Sequence, residues 1–186
     1  MKRVALWFLL LMVFASCHRE KPVVQLTDYR SVEGVVLGMP VVEAVKKSRE
    51  KYFLEKTVIP VDAGEKTKFE YHVFLSREIR TFLYSFGEVA DSAGLWVSRI
   101  TLKDARYRLP NGASIGNTVG DLRKLDKFST IRFSYDYGLM LSSGTFNGGY
   151  LLDLNFGKDY AGFDFEKPGL SALPDDLVVL EVVLTR

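Results

Sequence analysis

Few side chains in this sequence are equipped for chemistry. The chain of 186 residues holds one cysteine, Cys17, and two histidines, His18 and His72. A serine nucleophile would need His72 as its base, and no Gly-x-Ser-x-Gly elbow is present to display one. His72 lies in an alternating stretch, on the side shared with Glu70 and Phe74, which is the place of a sheet-surface residue. Zinc takes three or four His, Cys or carboxylate ligands, a set that this chain assembles only from carboxylates. Asp153, Asp159, Asp164, Glu166, Asp175 and Asp176 gather acid in the C-terminal third. The run Lys158 to Glu166 nevertheless lacks the alternating oxygen ligands and closing Glu of a calcium loop. Gly34 to Gly38 is not a phosphate loop, because no Gly-Lys-Ser/Thr follows it. Paired carboxylates for glycan hydrolysis stay open, since their spacing is set in three dimensions. The expectation is no catalytic residue, no metal and no cofactor.

Cys17 is informative through its place. Met1-Lys2-Arg3 gives a basic start, and Val4 to Ala15 is an unbroken apolar run of twelve residues. A membrane-spanning helix needs about 20, whereas the apolar region of a secretory signal has this length and ends in small residues. Phe14-Ala15-Ser16-Cys17 resembles the lipobox of bacterial lipoproteins, with Phe14 where an aliphatic residue is usual. The resemblance implies removal of residues 1–16 and acylation of Cys17 as the mature N-terminus. It also implies a bacterial envelope location, and His18 in place of Asp after the cysteine favours the outer membrane. An ordinary signal peptide with a free thiol and a membrane anchor that stays uncleaved are the alternatives. Two lipid signals anchor stably where one chain does not, so a multiply acylated Cys17 would hold the membrane by itself. It would also leave no thiol for a disulfide, and stability would rest on the core.

Composition narrows the partners. Of 25 basic and 23 acidic residues, removal of residues 1–16 takes away Lys2 and Arg3 and no acid, leaving 23 of each sign. A neutral surface lacks the positive field that nucleic-acid binding relies on, so no nucleic-acid partner is expected. With 47% hydrophobic residues and six prolines, the chain has the makings of a buried core at a size where about 70% of the unfolded surface is buried.

The elements that would position any site follow from periodicity. His18 to Ser31 is polar, and residues 17–31 read as a tether of at most about 45–50 Å, with Val23 to Leu26 joining a sheet edge. Residues 32–186 read as one domain of two half-repeats, 32–111 and 112–186. The segment Gly34 to Lys47 aligns without gaps on Gly112 to Leu125, with Gly34/Gly112, Gly38/Gly116, Val41/Val119 and Lys46/Lys124 identical. Each copy reads as a strand, a glycine corner and a helix start. Pro40 suits the first helical position, and Thr118 with Asp121 makes a capping box. Period-two strands follow at Lys68–Leu75, Ile79–Tyr84, Leu95–Leu102, Thr130–Tyr135, Leu139–Leu141, Tyr150–Phe156 and Leu177–Leu184. Asp136-Tyr137-Gly138 and Asn147-Gly148-Gly149 supply hairpin turns, and Gly87–Gly94 and Phe163–Asp176 read as exposed loops. The predicted class is α+β, two similar halves, each a short helix packed on an antiparallel β-meander.

The Gly-x-x-x-Gly corner, the short helix and the meander, twice behind a lipoprotein signal, resemble tandem BamE-like and β-lactamase-inhibitor-like envelope modules. The resemblance implies an interaction protein and carries over no ligand-binding residue. Aromatic residues crowd the second half, and Trp96, Tyr135, Tyr137 and Tyr160 are the candidate contacts, because Tyr and Trp are enriched at interfaces. The functional expectation is a lipid-anchored, non-catalytic module that binds an envelope protein or glycan. A periplasmic enzyme inhibitor and a carboxylate-dependent glycan hydrolase are the alternatives.

Overall fold

The computed structural model describes residues 22–59, 68–91, 94–134, 138–154, 164 and 169–186, with backbone alone for Asp91 and Ser134. The signal segment, Cys17, Tyr135, Tyr137 and Tyr160 lie outside the described residues. In chain order the elements are β1 (Val24–Gln25), β2 (Ser31–Val32), β3 (Val35–Val36), α1 (Val41–Arg49), β4 (Phe53–Ile59), β5 (Lys68–Phe74), β6 (Phe82–Asp91), β7 (Gly94–Leu102), β8 (Tyr107–Arg108), α2 (Val119–Leu125), β9 (Phe128–Ser134), β10 (Gly138–Ser143), β11 (Gly148–Leu152) and β12 (Val179–Thr185). A 3-10 turn spans Leu170–Ala172.

Eight of these strands form one antiparallel sheet in the order β4-β5-β6-β7-β12-β11-β10-β9. This corrects the α+β expectation of two helix-on-meander halves. The strands β4 to β7 and β9 to β12 are each four-stranded meanders, and they fuse through the β7–β12 pairing, from Val182↔Leu102 to Thr185↔Arg99. The helices, nine and seven residues long, are minor covers on a continuous sheet. The physical reason lies in β12. Val179, Val182 and Leu184 are buried, as befits a strand with neighbours on both edges rather than the edge of a half.

One cross-strand row makes the floor of the core. Tyr84, Leu102, Val182, Tyr150 and Leu141 stand in register across β6, β7, β12, β11 and β10, and each is 0% exposed. Val41 and Ala44 of α1, Val119 and Leu122 of α2, and Leu26, Val32 and Val35 belong to the same cluster. Full burial of each such side chain stabilises by about 1.5–3 kcal/mol. The stretch read as a tether is part of this body from Val24 on. There β1 pairs in parallel with β8 rather than with the large sheet, and Leu26 is buried.

Local signals succeed where the backbone reads them directly. Thr118 caps α2, its Oγ1 accepting from the Asp121 amide at 3.1 Å while Asp121 accepts from the Thr118 amide at 3.2 Å. Pro40 sits one position earlier than expected, as the N-cap of α1. Within the stretch read as a loop, Gly87 to Asp91 belong to β6, with a register shift between Gly87 and Glu88, a bulge of the kind that glycine in a strand marks. Gly148 and Gly149 belong to β11 itself, so the β10–β11 turn falls before them. Within Phe163–Asp176, Leu173 is buried.

The cap gives a pH signature. The Thr118 amide, then the Thr118 hydroxyl, hold the Asp121 carboxyl below its ordinary value. A depressed folded value stabilises above the unfolded one, about 3.9, and that contribution is lost as pH falls through the folded value. Asp121→Asn is therefore expected to be less stable than wild type at pH 7, with the difference shrinking below about pH 4. Urea titrations at both pH values check it, and a difference that is unchanged at low pH contradicts the cap.

Candidate functional site

Opposite the core floor, the second face of the sheet carries a cavity of about 560 Å³ lined by Glu70, Arg99, Thr101, Lys103, Arg132, Gly138, Met140, Leu151, Glu181 and Val183. These residues come from β5, β7, β9, β10, β11 and β12, together with Lys103 just beyond β7. A single cavity reaches strands so far apart in the order because the sheet curls.

Register explains which groups meet. Arg132, Met140, Leu151 and Glu181 form one row across β9, β10, β11 and β12. Lys103 donates to Glu181 Oε1 at the end of that row. A second row places Glu70, Gly87 and Arg99 side by side. The Arg99 side chain lies over Gly87 and donates to Glu70 Oε1 at 3.3 Å. Ser85, fully buried beneath, donates to the same oxygen at 2.6 Å. His72 Nε2 lies 4.0 Å from Glu70 Oε2. The charges are therefore arranged as two pairs, Arg99–Glu70 and Lys103–Glu181, with the Arg99 Nε buried and without a hydrogen-bond partner among the described residues, and a third cation, Arg132. No carboxylate among the described residues pairs with Arg132.

An aromatic ladder continues the face toward β4. Phe53, Phe74 and Phe82 stand in register, with ring centroids 6.4 Å apart for the first pair and 5.0 Å for the second. His72 stacks on Phe82 at 5.1 Å. Cations cover these rings: Arg80 lies 5.0 Å from Phe74 and Lys103 5.6 Å from Phe82, contacts worth about 0.5–1 kcal/mol each when exposed. Lys103 and Phe82 also line a shallower depression of about 790 Å³ with Thr81, Arg106 and Arg108.

Among the described residues, Glu70 and Glu181 are the two carboxylates that line the cavity. Glu70 and Glu181 are three strands and four residues apart in register, about 20 Å along the sheet. A second polar centre is the buried Asp126. Its Oδ2 accepts from Ser143 Oγ at 2.6 Å and from the Tyr150 hydroxyl at 2.7 Å. Its Oδ1 accepts from Thr145 Oγ1 at 2.5 Å and from the Lys127 amide at 2.7 Å. Three of these four donors belong to the β10–β11 hairpin, so Asp126 is a structural tie.

Of the aromatic candidates only Trp96 falls among the described residues, and it does not line the cavity. Trp96 of β7 pairs with Val89 of β6 and bridges to Pro40. Of the acidic set, Asp175 is bound to Arg123 at 2.8 Å, Asp153 follows β11 and Asp164 is exposed; Asp159 and Glu166 lie outside the described residues. Among the described residues no group of three or more His, Cys, Asp or Glu could hold a metal ion. Sequence reasoning missed Arg132, Met140, Leu151, Glu181 and Lys103, whose alignment exists only once the pairing is known.

No protein-family model matches the chain, and comparison with curated proteins finds no match. Among solved structures, the chain is similar to the uncharacterized protein yfeY from Escherichia coli. The TM-score is 0.59 at 15% identity, and the match covers 89% of this chain and 100% of that one. The likeness is one of fold.

Proposed function

We propose that this chain is a lipid-anchored envelope protein whose curled sheet binds a partner or ligand without transforming it. The observation that carries the binding role is the cavity itself. Its size lies in the range of ligand sites, about 300–1,000 Å³, and a few placed charges surround apolar side chains, as in such sites. The aromatic ladder of Phe53, Phe74 and Phe82 extends the same face. Support for the anchor comes from Phe14-Ala15-Ser16-Cys17 behind a twelve-residue apolar run. Among the described residues no helix is long and apolar enough to cross a membrane.

Two outcomes are expected. Radiolabelled palmitate enters the wild-type protein and not Cys17→Ala; labelling retained in that variant removes the anchor from the account. Affinity capture from solubilised envelopes recovers a partner or ligand with wild-type protein and not with a Met140→Glu/Leu151→Glu double variant, which fills the cavity floor with charge. Equal recovery by both proteins moves binding to another surface.

A further inference from the structure

The cavity's chemistry specifies its occupant more closely, on the reading that this face is the binding surface. Among the described residues three cationic side chains and two carboxylates line it, leaving one positive charge in excess. Glu181 is committed to Lys103, and Glu70 to Arg99 and Ser85. The excess charge therefore falls on Arg132, exposed on β9. Directly across from Arg132 stand Met140 and then Leu151, in register, and Gly138 and Val183 widen the same floor. From Arg132 to the Glu181–Lys103 pair this row spans three strand spacings, about 14 Å. A cation at one end, an apolar row of Met140 and Leu151 with Thr101 the one hydroxyl among the described lining residues, and a neutralised ion pair at the far end describe an elongated ligand. It has a single negative terminus.

We infer that the cavity takes a single-chain amphiphile with an anionic head, carboxylate or phosphate. Its head sits on the Arg132 guanidinium, and its alkyl chain lies across Met140, Leu151 and Val183. Arginine suits this role because its planar fork matches both oxyanions in bidentate fashion. Methionine suits the floor because its unbranched thioether adapts to a flexible chain. A chain of about ten carbons covers the row at ordinary bond lengths. A nonionic chain would leave the Arg132 charge unanswered, and a diacyl lipid exceeds the one row of apolar side chains.

The test uses the full-length protein in neutral phosphatidylcholine nanodiscs. The probes are ten-carbon diazirine chains ending in a carboxylate, a phosphate or an alcohol, and adducts are mapped by mass spectrometry after illumination. Labelling on β10 and β11 by the anionic probes is expected, about tenfold or more above the alcohol. Comparison of the two anionic arms tells a fatty acid from a phosphate monoester. Arg132→Gln, an exposed substitution that leaves the core untouched, is expected to reduce anionic labelling to the level of the alcohol. Equal labelling by the three heads, or labelling indifferent to Arg132→Gln, overturns the inference. If no probe labels the cavity while cross-linking from Met140 captures a protein, the amphiphile is wrong and the binding face stands.

Discussion

Gly149→Ala is expected to destabilise the protein by about 3 kcal/mol or more, at the upper end of overpacking substitutions. A Cβ at position 149 would lie 2.2 Å from the Leu141 carbonyl oxygen and 2.9 Å from the Ser142 Cα. Both are backbone atoms of β10, so no rotamer change relieves the contact. The strands would have to part where Tyr150 and Leu141 face each other in the core floor. A change of that size corresponds to a fall in Tm of about 6–12 °C for a chain of this length. Gly116→Ala is the control: its Cβ meets nothing within 4 Å, and its φ of +87° leaves only a left-handed backbone cost of about 1–2 kcal/mol. Urea unfolding of the two variants gives the comparison, and a Gly149→Ala protein as stable as Gly116→Ala would contradict the close β10–β11 approach.

Asp126→Ala is expected to cost about as much, by a different mechanism. Removing the carboxylate strands the hydroxyls of Ser143, Thr145 and Tyr150 and the amide of Lys127. Each buried donor left without an acceptor costs about 1–3 kcal/mol, offset in part where a hydroxyl turns to another acceptor. A loss of about 3–5 kcal/mol follows from stranding these donors together. Asp126→Asn retains one carbonyl oxygen and should fall between the two. Thermal unfolding of the three proteins orders them; an alanine variant within about 1 kcal/mol of wild type would show that the tie carries little.

The sequence made local features legible and left the assembly hidden. Lys68 to Phe74 alternates cleanly, and it forms β5 over those residues. Thr118 and Asp121 announce their helix because capping is a matter of three residues. The strand β4 was invisible because its face toward the core carries Lys56, whose ammonium lies 3.4 Å from the Phe69 ring centroid and breaks the apolar alternation. The β7–β12 junction joins residues some eighty positions apart, and no short-range pattern encodes it. That junction turns the expected halves into one sheet. The site was hidden for the same reason. Arg132, Met140, Leu151 and Glu181 are ordinary outward positions of four strands until pairing brings them into a row. Of the aromatic candidates, Tyr135, Tyr137 and Tyr160 lie outside the described residues, and Trp96 bridges to Pro40 away from the ladder of Phe53, Phe74 and Phe82.

The central claim, that the cavity face of the sheet is the working surface, is most directly tested by site-specific photo-cross-linking in intact cells. A photoreactive amino acid at Met140, which lines the cavity, is compared with one at Val42, 83% exposed on α1. The account predicts a light-dependent adduct from Met140 and none from Val42. An adduct from Val42 with none from Met140 would contradict it.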